Sequence, residues 1–293
     1  MDVTLIVNPF STNVTEQRVR EVEAVLAPSR TLLTEHAGHA TELVAAAAGA
    51  DAIVVFGGDG SANEVLNGLA ADSPVAFLPG GGTSVLARAL GLPRDPVNAA
   101  RQVAEALAGE RMRRISLGRV NGRRFAFAAG IGFDAEIVRR VDRLGRSADG
   151  RRPGDLAYVG AVASVVGRRL GRFEPALEIA GLGRAAFALV ANCDPYTYAG
   201  SVAVHVAPEA RFELGLDVVA PVTVGPTDVA RLLAYVFRGR GQTEAAGIRY
   251  GHDLDRIEVS CDRPLPLQAD GEDLGDADHA VFEARRDALA VLV

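Results

Sequence analysis

Strand-like and helix-like blocks alternate along the first 110 residues of the chain. In chain order the blocks are Val3–Val7, Thr15–Leu26, Thr31–Thr34, Ala40–Ala48, Ala52–Phe56, Ala62–Leu69, Val75–Leu78 and Ser84–Leu90. Short apolar strands separated by helices predict a doubly wound α/β fold, in which a parallel sheet carries helices on both faces. Ligands bind such sheets at the carboxyl ends of the strands, so the turns after these strands are the places to look for a site.

The pattern changes near residue 113, after which strand-like segments dominate. Asn121 and Gly122 suit a two-residue turn, so residues 119–125 predict a β-hairpin. The other strand candidates are Ala176–Ala180, Ala185–Ala191, Leu216–Ala220, Ile257–Ser260, His279–Ala284 and Leu289–Val293. The helix candidates are Ala135–Leu144, Leu156–Leu170 and Thr227–Arg238. We therefore predict an α/β domain over residues 1–113 and a mainly antiparallel, β-sandwich-like domain with helices over residues 114–283.

Composition excludes several classes of protein. A chain of 293 residues is long enough for two domains, and 48% apolar residues with a net charge of −6 indicate an ordinary globular protein without general nucleic-acid affinity. All 31 basic residues are arginines. The absence of lysine from the sequence excludes the Walker lysine, the protein-kinase lysine and Schiff-base chemistry.

The cysteine pattern and the hydropathy suggest a location. Cys193 and Cys261 lie far apart in the sequence, which predicts two buried thiols in a reducing compartment. The first residues do not form a charged leader followed by an apolar segment, and no apolar stretch reaches the length of a membrane span. We expect a cytoplasmic protein without a transmembrane segment.

The turn after the third strand carries the strongest chemical signal. It reads GGDGSANE from Gly57 to Glu64. Glycines let backbone N–H groups approach a ligand, and the N-terminus of the next helix favours phosphate. Ser61 and Glu64 have the spacing of a capping box, which we expect them to form. Capping gives no role to Asp59, which is expected to bind Mg²⁺ or a substrate hydroxyl rather than only to form the turn.

Three more polar turns are expected at the same edge of the sheet. The turn after the fourth strand, PGGGTS from Pro79 to Ser84, precedes a helix and predicts a second phosphate-binding turn. The first and second strands end in the polar segments Asn8–Thr12 and Thr34–Gly38. Because parallel strands share one carboxyl edge, the four turns are expected to converge.

Two motifs in the second half of the chain have the residue types of a functional site. The segment Gly130–Ala135, GIGFDA, imitates a dinucleotide-binding fingerprint, but the βαβ context that the fingerprint needs is not predicted there. Asp270 and Glu272 share one turn with a glycine between them, which suits one carboxylate for metal and one for a proton. An exposed acidic turn is the alternative.

A basic segment predicts contact with lipid. Residues 139–172 contain nine arginines and three aspartates, a local charge of +6 on an acidic chain. Such a segment is expected to contact anionic headgroups, which would place the protein peripherally at the inner face of a membrane. Within it, Leu156–Val166 either lines a lipid cleft or is a core helix.

Together the motifs resemble those of the soluble lipid kinases of the diacylglycerol kinase and sphingosine kinase superfamily, which is distantly similar to NAD kinases. The matching segments are Val7–Pro9, Gly57–Gly68, Pro79–Pro93, Gly132–Ala135 and Asp270–Glu272. The resemblance implies ATP with Mg²⁺ bound between the domains and a lipid hydroxyl, first of all that of diacylglycerol, as acceptor. It also implies that a C-terminal strand, residues 284–293, completes the N-terminal domain. No nucleic-acid partner is expected, and a homodimer is left open.

The resemblance and the turns assign site residues. The expected ATP-contacting residues are Asn8, Pro9, Ser11, Thr34, Gly57, Gly58, Asp59, Gly60, Ser61, Asn63, Glu64, Gly81, Gly82, Thr83 and Arg88. Asp59 resembles the aspartate that these enzymes use in catalysis or to hold metal, and Asp270 is a second metal candidate. Either Glu272 or Asp270 is expected to take the proton of the acceptor.

The chain departs from the family pattern at Gly82, Ser84 and Leu214. Leu214 stands where the family often has an aspartate for an auxiliary Mg²⁺, so this second site is expected to be absent or to depend on Glu213. Two other functions stay open: a NAD kinase-like or other small-hydroxyl kinase, and a catalytically degenerate regulator that binds nucleotide or lipid.

Overall fold

The computed structural model describes residues 1–70, 73–145 and 155–293, with residues 155 and 156 described by their backbone alone. The described residues form two compact units. Unit 1 contains Met1–Ile115, except residues 71 and 72, and Asp287–Val293. Unit 2 contains residues 116–145 and 155–286.

Unit 1 alternates strands and helices as predicted. Its elements are β1 (Val3–Val7), α1 (Glu16–Leu26), β2 (Arg30–Leu33), α2 (His39–Ala46), β3 (Ala52–Gly57), α3 (Asp59–Gly68), β4 (Val75–Pro79), α4 (Val85–Ala89) and α5 (Pro96–Ala108). The predicted α/β architecture is therefore confirmed. The helix α5 was not predicted from the sequence.

The order of the strands in unit 1 locates a crevice. The strands lie in the order β2-β1-β3-β4 and all pairs are parallel. Near the end of the chain, Val291 adds to this sheet by pairing in parallel with Val75. After β1 the chain adds β2 on one side of it, and then crosses over to add β3 and β4 on the other side. The direction of winding therefore reverses between β1 and β3. Open α/β sheets bind ligands at such a switch point, beyond the carboxyl ends of the two strands.

The core of unit 1 explains why these strands form. Every residue of β1, β3 and β4 is buried, as expected for parallel strands covered on both faces. Each fully buried valine, leucine, isoleucine or phenylalanine side chain stabilises the fold by about 1.5–3 kcal/mol relative to an exposed one. Two of the covering helices have an N-cap side chain: Thr15 accepts from the N–H of Arg18 in α1, and Asp95 accepts from that of Asn98 in α5.

Unit 2 is mainly antiparallel, as predicted. Its elements are β5 (Arg113–Val120), β6 (Arg123–Phe125), β7 (Ala128–Ile131), α6 (Phe133–Asp142), α7 (Asp155–Arg168), β8 (Leu177–Ile179), β9 (Gly183–Ala185), β10 (Ala188–Ala191), β11 (Thr197–Ala199), β12 (Val202–Val204), β13 (Leu216–Pro221), α8 (Asp228–Arg238), β14 (Ile248–Leu254), β15 (Arg256–Ala269) and β16 (Glu272–Val291). The first residues of β5 and the last of β16 belong to unit 1.

The sheet of unit 2 has the strand order β14-β13-β10-β7-β15, with antiparallel neighbours throughout. This pairing also shows that GIGFDA, at the end of β7, does not lie in a βαβ unit. The predicted strand His279–Ala284 and the first three residues of the predicted strand Leu289–Val293 belong to the single strand β16, which ends at Val291.

Two-residue turns set the hairpins of unit 2. The predicted hairpin is present: β5 and β6 pair through Asn121 and Gly122, whose φ angles are 46° and 97°. β15 and β16 are joined by Asp270 and Gly271, with φ angles of 48° and 78°. Asparagine, aspartate and glycine tolerate these left-handed conformations, which match the twist of the strands.

A separate apolar cluster holds the helices of unit 2. Phe133, Phe173 and Phe187 pack with ring centroids 5.1–5.7 Å apart, beside residues of α6, α7 and α8. Aromatic pairs at this spacing stabilise beyond their buried area. Within the described part of the chain, none of the helices combines the length and the apolarity that crossing a bilayer requires.

The two cysteines are free thiols with different surroundings. Cys193 is buried, as predicted, whereas Cys261 is partly exposed. Cys261 lies in β15, where only part of its side chain is covered. The prediction of two buried thiols is therefore right for Cys193 alone. Burial of the covered part still raises the pKa of the Cys261 thiol to about 11.

Candidate functional site

The turns after β1, β3 and β4 are joined by backbone hydrogen bonds at the switch point of unit 1. The N–H of Gly80 donates to the carbonyl of Gly57 at 2.7 Å, and the N–H of Asn8 donates to that of Phe56 at 2.9 Å. The N–H of Asn13 donates to the carbonyl of Gly80 at 2.8 Å. Three of the four predicted turns therefore meet at one edge of the sheet.

The contact between two of these turns requires glycine. A Cβ atom on Gly80 would lie 2.8 Å from the Cα of Gly57 and 2.8 Å from a methyl carbon of Val14. Both neighbours are closely packed, so any side chain at position 80 pushes the turns apart. A Cβ atom on Gly82 would meet nothing within 4 Å. The turn thus combines a tight contact at Gly80 with open space at Gly82.

Asn8 and Ser61 link the first turn to α3. The amide of Asn8 donates to the hydroxyl of Ser61 at 2.8 Å, while its carbonyl accepts from the N–H of Phe10 at 3.0 Å. The Asn8 side chain therefore holds the β1 turn closed and ties it to the helix. Ser61 is buried at this position.

The predicted capping box of Ser61 and Glu64 is wrong. The helix α3 begins earlier, at Asp59, and its N-cap residue Gly58 has no side chain to accept a bond. Glu64 instead accepts from the N–H groups of Gly38 at 2.9 Å and Ala40 at 3.2 Å. Its carboxylate thus caps α2, and the start of that helix carries a positive partial charge that favours an anion.

Asp59 connects α3 to the helix after β4. Its two carboxylate oxygens accept from the N–H groups of Val85 and Leu86, each at 3.0 Å. These are orphan donors of the first turn of α4. Asp59 therefore has a structural contact in addition to the predicted role in chemistry, and it places the two glycine-rich turns side by side.

A polar cleft opens beside the second glycine-rich turn. It is lined by Asn13, Arg18, Pro79, Gly81, Gly82, Thr83, Ser84, Arg88 and Arg94. The guanidinium of Arg18 donates to the carbonyl of Asn13 at 3.0 Å, and that of Arg88 donates to the carbonyl of Thr83 at 3.3 Å. Three arginines around a glycine turn suit a polyphosphate. Arg88 was predicted, but Arg18 and Arg94 were missed.

The described residues that line the cleft include three arginines and no aspartate or glutamate, which suits an anion rather than a free metal ion. Among the described residues, no group of three or more His, Cys, Asp or Glu side chains is arranged to hold a metal. Mg²⁺ that is bound to ATP keeps phosphate and water oxygens and needs only one or two protein carboxylates. Asp59 is not part of the lining of this cleft, so its predicted role in holding Mg²⁺ remains a prediction.

Other predicted nucleotide contacts lie away from this cleft. Asn63 is fully buried, and the amide of Asn67 donates to its side-chain oxygen at 3.1 Å. Thr34 is buried, with its N–H bonded to the carbonyl of Val7 at 2.9 Å. Neither residue lines the arginine cleft, so their predicted contacts with ATP remain predictions. The same holds for the other predicted contacts outside the cleft lining, which are Asn8, Pro9, Ser11, Gly57, Gly58, Asp59, Gly60, Ser61 and Glu64.

Asp270 is held inside unit 2 by backbone N–H groups. Its carboxylate accepts from Ala126 at 2.6 Å, Phe127 at 3.0 Å and Ala128 at 3.2 Å, and only 3% of the residue is exposed. Three N–H donors stabilise the charged form of a carboxylate. In this geometry Asp270 fixes the β15–β16 turn against the chain before β7.

Glu272 is the more accessible of the two predicted carboxylates. It forms an ion pair with Arg123, and 24% of its side chain is exposed. It follows directly after the turn, at the first position of β16. The structure thus gives the two acidic residues of the turn different surroundings.

Asp134, Tyr196 and Gln268 form a hydrogen-bonded network beside this turn, which was not predicted from the sequence. The amide of Gln268 donates to the carboxylate of Asp134, and the Tyr196 hydroxyl donates to the same oxygen at 2.7 Å. The carbonyl of Gln268 accepts from the N–H of Gly271 at 2.9 Å. Loss of water raises the pKa of the Asp134 carboxyl, and the two hydrogen bonds oppose the rise. A perturbed carboxyl of this kind often marks a functional site.

Part of the basic segment is neutralised by acidic partners. Arg139 pairs with Asp273 at 2.7 Å and with Asp276 at 2.5 Å, and Arg169 pairs with Glu136 at 2.8 Å. The predicted local charge of +6 did not include these partners. Four charged positions of the segment lie outside the described residues: Arg146, Asp149, Arg151 and Arg152.

Comparison with known families covers nearly the whole chain. Residues 2–120 match the diacylglycerol kinase catalytic domain. Residues 128–293 match the YegS C-terminal NAD kinase beta sandwich-like domain. The second match alone spans more than half of the chain.

Two curated relatives match a shorter stretch. A diacylglycerol kinase of Bacillus subtilis is 42% identical over 92 residues, which are 30% of this chain and 29% of that protein. A probable lipid kinase YegS-like of Pseudomonas aeruginosa is 38% identical over 97 residues, which are 32% of this chain and 30% of that protein. The aligned part is thus less than a third of each relative.

Solved structures share the fold over the full length. Two crystal structures from Bacillus anthracis, one of a diacylglycerol kinase and one of a putative diacylglycerol kinase, have TM-scores of 0.72 and 0.75 at 20% and 22% identity. Each likeness covers 99% of this chain and 96% of the other. An NAD kinase from Archaeoglobus fulgidus in complex with ATP has a TM-score of 0.53 at 13% identity, over 99% of this chain and 93% of that one.

The likeness to solved structures confirms the predicted fold class, and the two domain matches confirm the predicted family resemblance. Together they account for residues 2–120 and 128–293. The chain belongs to the lipid kinase family that joins a diacylglycerol kinase catalytic domain to a YegS C-terminal NAD kinase beta sandwich-like domain.

Proposed function

We propose that this protein is an ATP- and Mg²⁺-dependent kinase that transfers the γ-phosphate of ATP to a lipid hydroxyl, with diacylglycerol as acceptor and phosphatidic acid as product. The observation that carries the proposal is the arginine-lined cleft beside the joined glycine turns of unit 1. Phosphoryl transfer depends on positioning and charge stabilisation more than on covalent chemistry, and this cleft supplies both.

The phosphates of ATP bind along the β4–α4 turn. The contact between Gly57 and Gly80 sets the position of the turn, and open space at Gly82 lets phosphate approach the backbone. Arg18, Arg88 and Arg94 replace the single lysine of other phosphate sites, because guanidinium groups bind phosphate through paired hydrogen bonds.

Bound Mg²⁺ neutralises phosphate charge during the transfer. Asp59 is the residue proposed to hold it. The carboxylate is fixed by the N–H groups of Val85 and Leu86, and its oxygens accept more than one contact each. A fixed carboxylate reorganises little on binding, which favours precise placement of the phosphates.

Glu272 is proposed to accept the proton of the acceptor hydroxyl. Its side chain is partly exposed and next to a rigid turn, whereas the carboxylate of Asp270 is occupied by three backbone N–H groups. The second predicted role of Asp270, as a metal ligand, is not needed in this scheme. Asp270 acts here as a positioning residue for Glu272.

Diacylglycerol is proposed as the acceptor because relatives of this chain bear the name diacylglycerol kinase or probable lipid kinase. We retain three proposals from the sequence: a cytoplasmic location, peripheral contact with a membrane through residues 139–172, and a homodimer. We also propose that the functional domains follow the predicted division, 1–113 with 284–293, and 114–283.

A NAD kinase-like activity is the second candidate. The likeness to an NAD kinase fold extends over 99% of the chain, and the C-terminal domain match is described as NAD kinase beta sandwich-like. A regulator without activity is the third. The retained Asp59, Asp270 and Glu272 favour an enzyme over it.

One assay separates the three candidates. The purified protein is incubated with Mg²⁺ and ATP labelled at the γ-phosphate, in parallel with diacylglycerol micelles, sphingosine micelles and NAD. The proposal expects labelled phosphatidic acid. Labelled NADP would favour the second candidate, and ATP binding without transfer to any acceptor would favour the regulator; either result refutes the proposal.

A further inference from the structure

The helix α8 lies on the surface of unit 2 with an unusual amount of apolar side chain in solvent. Its sequence, DVARLLAYVFR, is amphipathic, and the structure, which describes every residue of it, shows none buried. Leu233 is 46% exposed and Phe237 is 48% exposed. These two residues are one helical turn apart and share a face.

The remaining apolar residues of α8 hold the helix in place. Val229 and Leu232 pack against the cluster that contains Phe173 and Phe187. The carbonyl of Val236 accepts from the N–H of His205 at 2.7 Å. The helix is therefore anchored through Val229 and Leu232, while about half of Leu233 and of Phe237 stays in solvent.

Another exposed apolar residue, Leu170, lies beside α8. A Cβ atom on Gly171 would lie 3.1 Å from the Cα of Pro226 and 3.4 Å from a methyl carbon of Val229. The preceding residue, Leu170, is 75% exposed. Leu170 therefore lies close to the start of α8, the helix that carries Leu233 and Phe237.

Arginines lie close to these apolar residues in the sequence. From Ala230 to Gly241 the sequence contains three arginines and no acidic residue. Arg168, Arg169 and Arg172 flank Leu170 and are exposed. Arg231 pairs with Asp228 and Arg169 with Glu136, so part of the charge is compensated. The rest makes a basic, apolar surface on a protein whose net charge is −6.

This combination identifies the kind of partner. A second copy of the same surface would bring arginines against arginines, which is unfavourable. Amphipathic helices with leucine and phenylalanine on one side and arginines beside them insert into the interface of anionic bilayers. We propose that Leu170, Leu233 and Phe237, with the arginines around them, form a docking surface for an anionic lipid bilayer.

The docking surface is distinct from the arginine cleft of unit 1, and its test uses no ATP. The sequence contains no tryptophan, so Phe237→Trp introduces a single fluorescent reporter on α8. Vesicles of phosphatidylcholine with phosphatidylglycerol are expected to shift its emission to the blue, and brominated phosphatidylcholine in the same vesicles is expected to quench it. Met112→Trp, at a 54% exposed residue of unit 1, is the matched reporter and is expected to show neither effect.

Cosedimentation with vesicles measures how much each side chain contributes to the affinity for anionic lipid. The double variant Leu233→Gln/Phe237→Gln is expected to bind anionic vesicles at least roughly tenfold more weakly than the wild type. Arg238→Gln and Arg240→Gln are each expected to weaken binding roughly fivefold at low salt. Met112→Gln and Arg20→Gln, both exposed positions of unit 1, are expected to bind as the wild type does. Thermal melting shows that each variant is folded.

Three outcomes would overturn the proposal. The first is vesicle binding by the Phe237→Trp protein without quenching by brominated lipid. The second is equal binding by the double variant and the wild type, or no binding of either. The third is a dimer, seen by light scattering, that Leu233→Gln/Phe237→Gln dissociates, since the surface would then be covered by a second copy. A positive kinase assay with any of these results leaves the proposed kinase activity intact.

Discussion

The side-chain amide of Gln268 donates a hydrogen bond to the carboxylate of Asp134, although the two residues come from different parts of unit 2. Asp134 lies in the first turn of α6, and Gln268 lies near the end of β15. The side-chain carbonyl of Gln268 also accepts a hydrogen bond from the backbone N–H of Gly271. The pair thus ties the start of a helix to the turn that carries Glu272.

The titration of Asp134 is expected to make the free energy of unfolding depend on pH. Loss of water raises the pKa of its carboxyl above the ordinary value of 3.8, so the folded protein holds this proton more tightly than the unfolded chain does. As the pH rises from about 4 through the raised pKa, the wild type loses stability at this group. Asp134→Asn removes the titration, so its stability relative to the wild type should increase over this pH interval, as measured by urea unfolding.

Asp273→Asn is the matched control, and the change of its stability with pH is expected to have the opposite sign. The ion pair with Arg139 lowers the pKa of the Asp273 carboxyl, so this group adds stability above the ordinary pKa and loses it as the pH falls through the lowered one. The variant should therefore lose stability relative to the wild type as the pH rises. The same slope in both variants would contradict the assignment for Asp134.

The contact between the glycine turns can be tested by adding one methyl group. Gly80→Ala places a carbon 2.8 Å from the Gly57 backbone, which should cost about 1–3 kcal/mol of unfolding free energy and weaken ATP binding. Gly82→Ala meets nothing within 4 Å and should change the stability by less than about 0.5 kcal/mol. Calorimetry and ATP titration measure both. Equal effects of the two substitutions would refute the packing argument.

Asp59 is expected to do more than cap α4. Asp59→Asn should remain folded and lower the transfer rate by about 100-fold or more, because a neutral amide is a poor ligand for Mg²⁺. Asp95→Asn changes a carboxylate that caps α5, where asparagine is equally good, and should retain activity. Full activity of Asp59→Asn would show that capping is its whole role.

The arginines of the cleft should contribute to ATP affinity. Arg18→Gln and Arg94→Gln each remove one guanidinium from the cleft lining, and each should weaken ATP binding roughly tenfold. Arg20→Gln, an exposed residue of α1, is the control and should bind ATP as the wild type does. Unchanged affinity in both cleft variants would place the phosphates elsewhere.

The strands β1, β3 and β4 could be predicted because each is a largely apolar run. The predicted Val3–Val7 is identical to β1, and Ala52–Phe56 differs from β3 by one residue. The turn after β3 was recognised for the same local reason, since its glycines follow a buried strand. The helix α5 was missed, although Asp95 at its N-cap and Pro96 at its first position are start signals.

Contacts between distant residues could not be read from local patterns. Glu64 has the spacing of a capping box with Ser61, but it caps α2, which comes earlier in the chain. Its true partner depends on how α2 and α3 pack. The link between Asp134 and Gln268 likewise joins two elements that only the folded sheet brings together. Arg18 and Arg94 were overlooked because an arginine on a helix or in a loop has no local signature of phosphate binding.

The central claim is tested most directly by the transfer of labelled γ-phosphate to diacylglycerol in micelles by the wild type, Glu272→Gln and Glu283→Gln. Glu283 is a matched control, because it is also an ion-paired glutamate of β16. The account predicts labelled phosphatidic acid from the wild type and Glu283→Gln, and a loss of about 100- to 10,000-fold in Glu272→Gln with ATP affinity unchanged. Equal activity of Glu272→Gln and the wild type, or a wild type that binds ATP and labels no lipid, would contradict it.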